Sequence, residues 1–198
     1  MSFLTETELR KLARESVKQK YYSYDNMEKK ASEMILESNQ KLQSDKYMYK
    51  IFLSHSFSDS EIVLGLKLYL ENELRLRTYV DWLDSPEMDR SCVNKETAKK
   101  LRKNMKYSKS LIYATSDNSS KSRWMPWELG YFDGLKKGKI AILPITESAN
   151  DSFKGEEYLD LYDLVEKESY PYGGLSRSLD KSLSLVVKGK KLKDWIEE

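Results

Sequence analysis

The chain has 198 residues, enough for one medium domain with an appendage. Its 34 Lys and Arg against 32 Asp and Glu leave a formal net charge of +2, which sets up no strong field toward nucleic acid or a membrane surface. The lone Cys92 excludes an internal disulfide and fits a reducing, cytoplasmic setting. The first residues lack the basic-then-apolar order of a signal peptide, and no apolar run approaches the roughly 20 residues of a membrane helix.

Residues 1–46 carry Leu9, Leu12, Val17, Met27, Ala31, Met34, Ile35 and Leu42 at irregular helical spacing. They predict an N-terminal helical extension of one or two amphipathic helices with a break near Tyr21 to Asn26. It reads equally as a docking arm or short coiled segment, or as a helix packed on its own domain. Tyr49 to Ser54 is a short apolar run, a buried strand. Asp59 or Ser60 can cap the next helix, marked by Ile62, Val63, Leu66, Leu70 and Leu74. Thr78 to Trp82 predicts a second strand, residues 84–94 with Pro86 a loop, and Lys95 to Met105 a helix. A third strand falls at Ser110 to Ala114 and a polar loop at 116–122. A helix from about Pro126 to Leu135 follows, then a fourth strand from Lys139 to Ile145 with Pro144 at its end. Tyr158 to Val165 predicts a helix, Glu168 to Tyr170 a short edge strand, Ser176 to Val187 a last helix, and 188–198 a charged tail.

Apolar strands alternating with helices define an α/β domain over 47–187, with a parallel sheet covered on both faces. Such sheets bind ligands beyond the carboxyl ends of their strands. Three loops then converge on one rim: Ser54 to Asp59, Asp81 to Asp89, and Thr115 to Trp124. Glu128 opens the helix after the third.

Trp124 and Glu128, four residues apart at that helix entrance, can hold a flat base and a ribose together. Pro126 suits a first helical turn, where its missing N–H is unpaired anyway. Glu128 would then lie in the first turn, either as a reactive carboxylate or as a residue that complements the helix start. The only histidine is His55, so a Ser-His-Asp arrangement lacks its parts, and no metal-ligand cluster is present. A carboxylate alone suits cleavage of an N-glycosidic bond whose leaving group is already cationic. Nicotinamide leaves NAD+ as a neutral molecule without a general acid, and a carboxylate can stabilise the oxocarbenium-like transition state. Trp124 reads as a stacking face or a core aromatic, while Trp127, Tyr131 and Phe132 pack the helix on the sheet. His55 shapes a polar turn. Ser54, Ser56 and Ser58 bond either phosphate or their own backbone. Asp81 and Trp82 end the second strand at the same rim. Cys92 has no partner for a nucleophile's role. The basic runs at 99–109 and 188–193 read as solvated faces.

In this order the residues resemble the Toll/interleukin-1 receptor (TIR) domain family, particularly its bacterial members. Tyr49-Lys50-Ile51-Phe52-Leu53-Ser54-His55-Ser56 with Asp59 is similar to the family's first strand and first box. Thr78 to Trp82 resembles its second strand, and Ser108 to Tyr113 the strand carrying a small residue, a basic residue and an apolar run. Trp124-Met125-Pro126-Trp127-Glu128-Leu129 matches the Trp-x-x-aromatic-Glu-Leu of enzymatic members. The resemblance covers about residues 47–187. It implies a flavodoxin-like, five-stranded parallel sheet. It also implies NAD+ glycohydrolase or ADP-ribosyl cyclase activity, with NAD+ as substrate and no further cofactor or metal. Glu128 takes the catalytic place, and Trp124, Ser54, His55, Phe57, Asp81 and Trp82 take substrate-binding places. A role in bacterial antiphage defence, self-association through TIR–TIR contacts and a nucleotide-activated effector protein as partner are implied too; nucleic acid and membrane are not. The loop Leu83 to Asn94 departs from the family pattern, carrying Pro86 and Cys92 and lacking the usual glycine. The alternatives are a non-enzymatic TIR-type adaptor and a nucleoside ribosyl-transfer enzyme.

Overall fold

The computed structural model describes residues 2–20, 49–84, 94–169 and 183–198. The chain order is β1 (Leu4–Thr5), α1 (Glu6–Lys20), β2 (Tyr49–Ser54), a 3-10 turn (Phe57–Asp59), α2 (Ser60–Asn72) and β3 (Thr78–Tyr79). Then come α3 (Asp81–Asp84), α4 (Lys95–Lys106), β4 (Ser108–Thr115), a 3-10 turn (Ser119–Lys121), α5 (Trp124–Leu135) and β5 (Ile140–Thr146). A 3-10 helix (Glu157–Leu161), β6 (Asp163–Ser169), β7 (Leu183–Val187), β8 (Lys190–Lys191) and α6 (Leu192–Glu197) complete it.

Five parallel strands lie in the order β3-β2-β4-β5-β6. Numbered among themselves, this is the 2-1-3-4-5 order of flavodoxin-like folds, whose switch point falls between β2 and β4. Among the described residues the sheet has eight strands in all. β1 adds in parallel beside β5, and β7 and β8 add antiparallel beyond β6. Pro144 lies inside β5 rather than at its end. It falls between Ala141 and Ile142, which pair with β6, and Ile145 and Thr146, which pair with β1.

The strands read as continuous apolar runs because both faces are covered. Alternation assigns each residue to a face. Phe52, Leu111, Tyr113, Ile140 and Ile142 meet Leu101 and Met105 of α4 and Leu129 and Phe132 of α5. Ile51, Leu53, Ile112, Ala114, Ala141 and Leu143 meet Leu9 and Ala13 of α1 and Ile62, Leu66 and Leu70 of α2.

The N-terminal segment is thus built into the domain. Thr5 and Glu8 form a capping box for α1: the Thr5 N–H donates to Glu8 at 3.1 Å and the Glu8 N–H to Thr5 Oγ1 at 3.2 Å. Gly65 lets α2 press against α1, since a Cβ there would stand 1.9 Å from the Leu9 carbonyl oxygen. The break at Tyr21 to Asn26 and most of the loop at 84–94 lie outside the described residues.

Four expectations change. Residues 158–165 are not one helix but a 3-10 helix followed by β6, which absorbs the edge strand foreseen from Glu168. Leu183–Val187 is a strand rather than the end of a helix. Lys188 and Gly189 both have positive φ (51° and 72°), and the two-residue turn they make pairs Val187 with Lys190. The 188–198 segment, expected as a charged tail, ends in α6, which buries Leu192, Trp195 and Ile196. Glu197 there accepts from Lys109 at 2.5 Å and from Lys50, and Lys139 Nζ donates to the Trp195 carbonyl at 2.8 Å. This helix therefore straps the amino ends of the strands, opposite the ligand rim. Finally, the second strand stops at Tyr79. Asp84 accepts from the Val80 N–H at 2.7 Å and turns residues 81–84 into a helical turn.

Candidate active site

Ser54 ends β2 on the face shared with Phe52, which turns it toward α5. There its Oγ donates to Glu128 Oε2 at 2.6 Å, across 74 residues of sequence. Both residues are buried, Glu128 to 1% exposure. The contact sits at the switch point, where flavodoxin-like sheets place their ligands.

The start of α5 differs from the expectation in a way that bears on Glu128. The helix begins at Trp124, with the Met125 N–H donating to Ser122 Oγ at 3.3 Å. Pro126 stays in the first turn, but Glu128 opens the second. Glu128 therefore stands beyond the capping positions of its helix, and it accepts a hydrogen bond from Ser54 on another element. Trp124 is buried and meets Trp127 edge-on at 5.4 Å. Trp127 stacks on Tyr131 at 5.7 Å, and Arg102 of α4 lies over both rings, so this pair packs against α4 while Phe132 fills the sheet side.

His55 is one residue further along and so faces the opposite side of the sheet. Its Nδ1 donates to the Leu53 carbonyl at 3.0 Å, and its Nε2 stands 3.3 Å from Asp81 Oδ1, both side chains buried. Trp82 packs half-buried against the same core. The residues named from sequence thus divide in two: Ser54, Trp124 and Glu128 on the α5 face, His55, Asp81 and Trp82 on the α2 face. Phe57 stands at the rim, 64% exposed. The turn bearing Asp81 is anchored by Lys67 of α2, fully buried, which donates to Asp84 at 3.0 Å and to the Thr78 carbonyl. Burial pushes the Lys67 ammonium down, but the Asp84 and Glu71 carboxylates outweigh it and hold its pKa above the ordinary value.

Sequence reasoning missed two features. Burial, then the neighbouring Tyr158 hydroxyl, then nearby charge including Glu128, raises the Tyr113 hydroxyl pKa on β4. Asp59, read as a helix cap, makes no cap bond and instead reaches the loop after β4. Neither was legible, because each contact joins segments far apart in the chain. A cavity of about 880 Å³ opens beside Pro126 at the α5 start. Tyr113, Thr115, Pro126, Phe153 and Tyr158 are among its lining residues, and Glu128 is not. No group of His, Cys, Asp and Glu that could hold a metal ion occurs among the described residues.

A flavodoxin-like sheet with a buried carboxylate–hydroxyl pair at its switch point defines a doubly wound α/β domain. The sequence is 47% identical over 168 residues, 84% of each chain, to the probable 3' cyclic ADP-D-ribose synthase ThsB' of Bacillus cereus (strain MSX-D12). It is 32% identical over 113 residues to the putative cyclic ADP-D-ribose synthase TIR2 of Cytobacillus dafuensis, covering 57% of this chain and 28% of that protein. No family model matches the chain. The chain belongs to the bacterial TIR-domain family.

Proposed function

We propose that the protein cleaves the nicotinamide–ribose bond of NAD+ and closes the remaining ADP-ribosyl unit into a cyclic ADP-ribose. The observation that carries this is Glu128, 1% exposed and hydrogen-bonded by Ser54 at the switch point, in a chain so similar to a cyclic ADP-D-ribose synthase. The C1'–N bond breaks with its electron pair passing to the nicotinamide nitrogen, which leaves neutral. Positive charge grows on C1' and the ring oxygen, and the Glu128 carboxylate stabilises it. Ser54 orients that carboxylate, and Trp124 walls the base. An acceptor within the same molecule then gives its lone pair to C1'; if it is a hydroxyl, its proton passes to Glu128. The seclusion of Glu128 from bulk water favours this internal acceptor over water, whose attack would give linear ADP-ribose. NAD+ is thus substrate, and the chemistry calls on no further cofactor.

Because Ser54 and Glu128 occupy the α5 face, His55, Asp81 and Trp82 act by shaping the rim. We place the product upstream of a nucleotide-activated effector in antiphage defence, with self-association completing the site; the family resemblance supports both. The test is to incubate dilute and concentrated protein with NAD+, follow nicotinamide, and weigh the product, the cyclic form being lighter than ADP-ribose by one water. Activity confined to the concentrated sample marks self-association. Glu128→Gln is expected to abolish nicotinamide release with an unchanged thermal melt. Normal turnover by that variant would sink the assignment, and silence of the native chain at both concentrations would favour the adaptor reading. No helix among the described residues is long and apolar enough to cross a membrane.

A further inference from the structure

The Ser54–Glu128 contact needs two loops in fixed register, and one buried carboxylate joins them. Asp59 ends the 3-10 turn after β2 and is 4% exposed. At the mouth of α2 it could cap the helix, yet it makes no side-chain cap bond. Its Oδ2 accepts from Ser116 Oγ at 2.5 Å, and its Oδ1 accepts from Asn118 Nδ2 at 2.7 Å. Both partners lie in the loop after β4. That loop is wound tightly beyond them: the Asn118 N–H donates to Ser116 Oγ at 3.1 Å, the Ser116 N–H to Ser119 Oγ at 2.8 Å, and the Ser122 N–H to the Ser119 carbonyl at 3.0 Å. Ser122 then caps α5 through the Met125 N–H. On the other side the Asp59 N–H donates to the Ser56 carbonyl at 3.1 Å, two residues from Ser54. Hydrogen bonds therefore run from the end of β2 through Asp59 to the first turn of α5, where Trp124 stands one turn before Glu128.

We propose that Asp59 is a positioning residue for the NAD+ reaction, setting the β4–α5 loop so that Ser54 and Glu128 meet; this rests on the function proposed above. A charged acceptor shared by two neutral donors is stronger and more directional than a neutral one, which suits a register pin. The test uses the full chain and exchanges the polarity of the pair. Asp59→Asn leaves one neutral amide oxygen where two carboxylate oxygens accepted, and Asn118→Asp sets two carboxylates together. The double variant Asp59→Asn/Asn118→Asp restores a donor–acceptor match with the roles reversed. Each single variant is expected to lose about ten- to hundredfold in kcat, with KM within about twofold, since misplacement of the carboxylate is felt in the transition state. The double variant is expected to recover to within about threefold of native. Amide hydrogen exchange across 115–122 is expected to quicken in Asp59→Asn and return in the double variant. Native kcat in Asp59→Asn overturns the proposal, as does a double variant that regains its melting temperature but not its kcat. If the native chain releases no nicotinamide, the NAD+ reading fails separately. In that case unchanged exchange in Asp59→Asn overturns the positioning role, and faster exchange confined to 115–122 sustains it.

Discussion

Ser54 stands in for a solvent shell at Glu128, giving a buried carboxylate one directed donor. Ser54→Ala removes that donor without changing the strand. A hydrogen bond to a charged group contributes about 1.5–3 kcal/mol, so kcat for nicotinamide release should fall about ten- to hundredfold. The thermal melt should fall by roughly 3–12 °C, and a stopped-time nicotinamide assay beside calorimetry checks both. At this scale the sequence was partly transparent. Trp124 and Glu128 were visible because spacing along one helix is a local property. Ser54 was visible only as one of three serines with two open readings, and its pairing with Glu128 is a tertiary event between β2 and α5. His55 illustrates the limit. The family resemblance gives it a binding place beside Ser54, whereas adjacency in a strand means opposite faces. Asp59 was assigned by the local capping rule, and a stronger nonlocal demand from Ser116 and Asn118 overrides that rule.

Among elements, the close seat of α1 on α2 is the most exposed to single changes. Gly65→Ala would drive a Cβ into the Leu9 carbonyl, and the helices must separate. Overpacking of this kind costs about 1–3 kcal/mol, a loss of roughly 2–10 °C in Tm for a chain of this size, measurable by thermal unfolding. β2, β4 and β5 were legible because apolar runs of strand length announce buried parallel strands. The integration of residues 2–20 was not, since it depends on β1 pairing with β5 some 140 residues on. A capping signal was nonetheless present in Thr5-Glu6-Thr7-Glu8. β7 was misassigned because Leu183, Leu185, Val186 and Val187 suit a helical stripe as well as a strand, and the Lys188-Gly189 turn that decides the matter sits just beyond them.

At the scale of the molecule, the two ends of the sheet are held by different chemistry. The rim carries the proposed site, and the amino ends are strapped by α6 through Glu197. Hydrogen bonds from Lys109 and then Lys50 hold the Glu197 carboxyl at about 2, against an ordinary 4.5. A lowered folded-state pKa means stabilisation that is whole above about 4.5 and is lost as the pH falls from there toward 2. Native protein is therefore expected to lose stability across that window faster than Glu197→Gln, in acid unfolding followed by Trp fluorescence. The clamp is partly exposed, so salt should shrink the difference. The sheet between these ends has a further consequence, seen in Ser54 and His55 on its two faces. Deleting one residue from Ile51-Phe52-Leu53 would leave an apolar strand that still finds two greasy layers to lie between. It would also swap the serine and the histidine. The molecule's interior tolerates miscounting better than its chemistry does, so the number of residues in β2 is itself a functional specification.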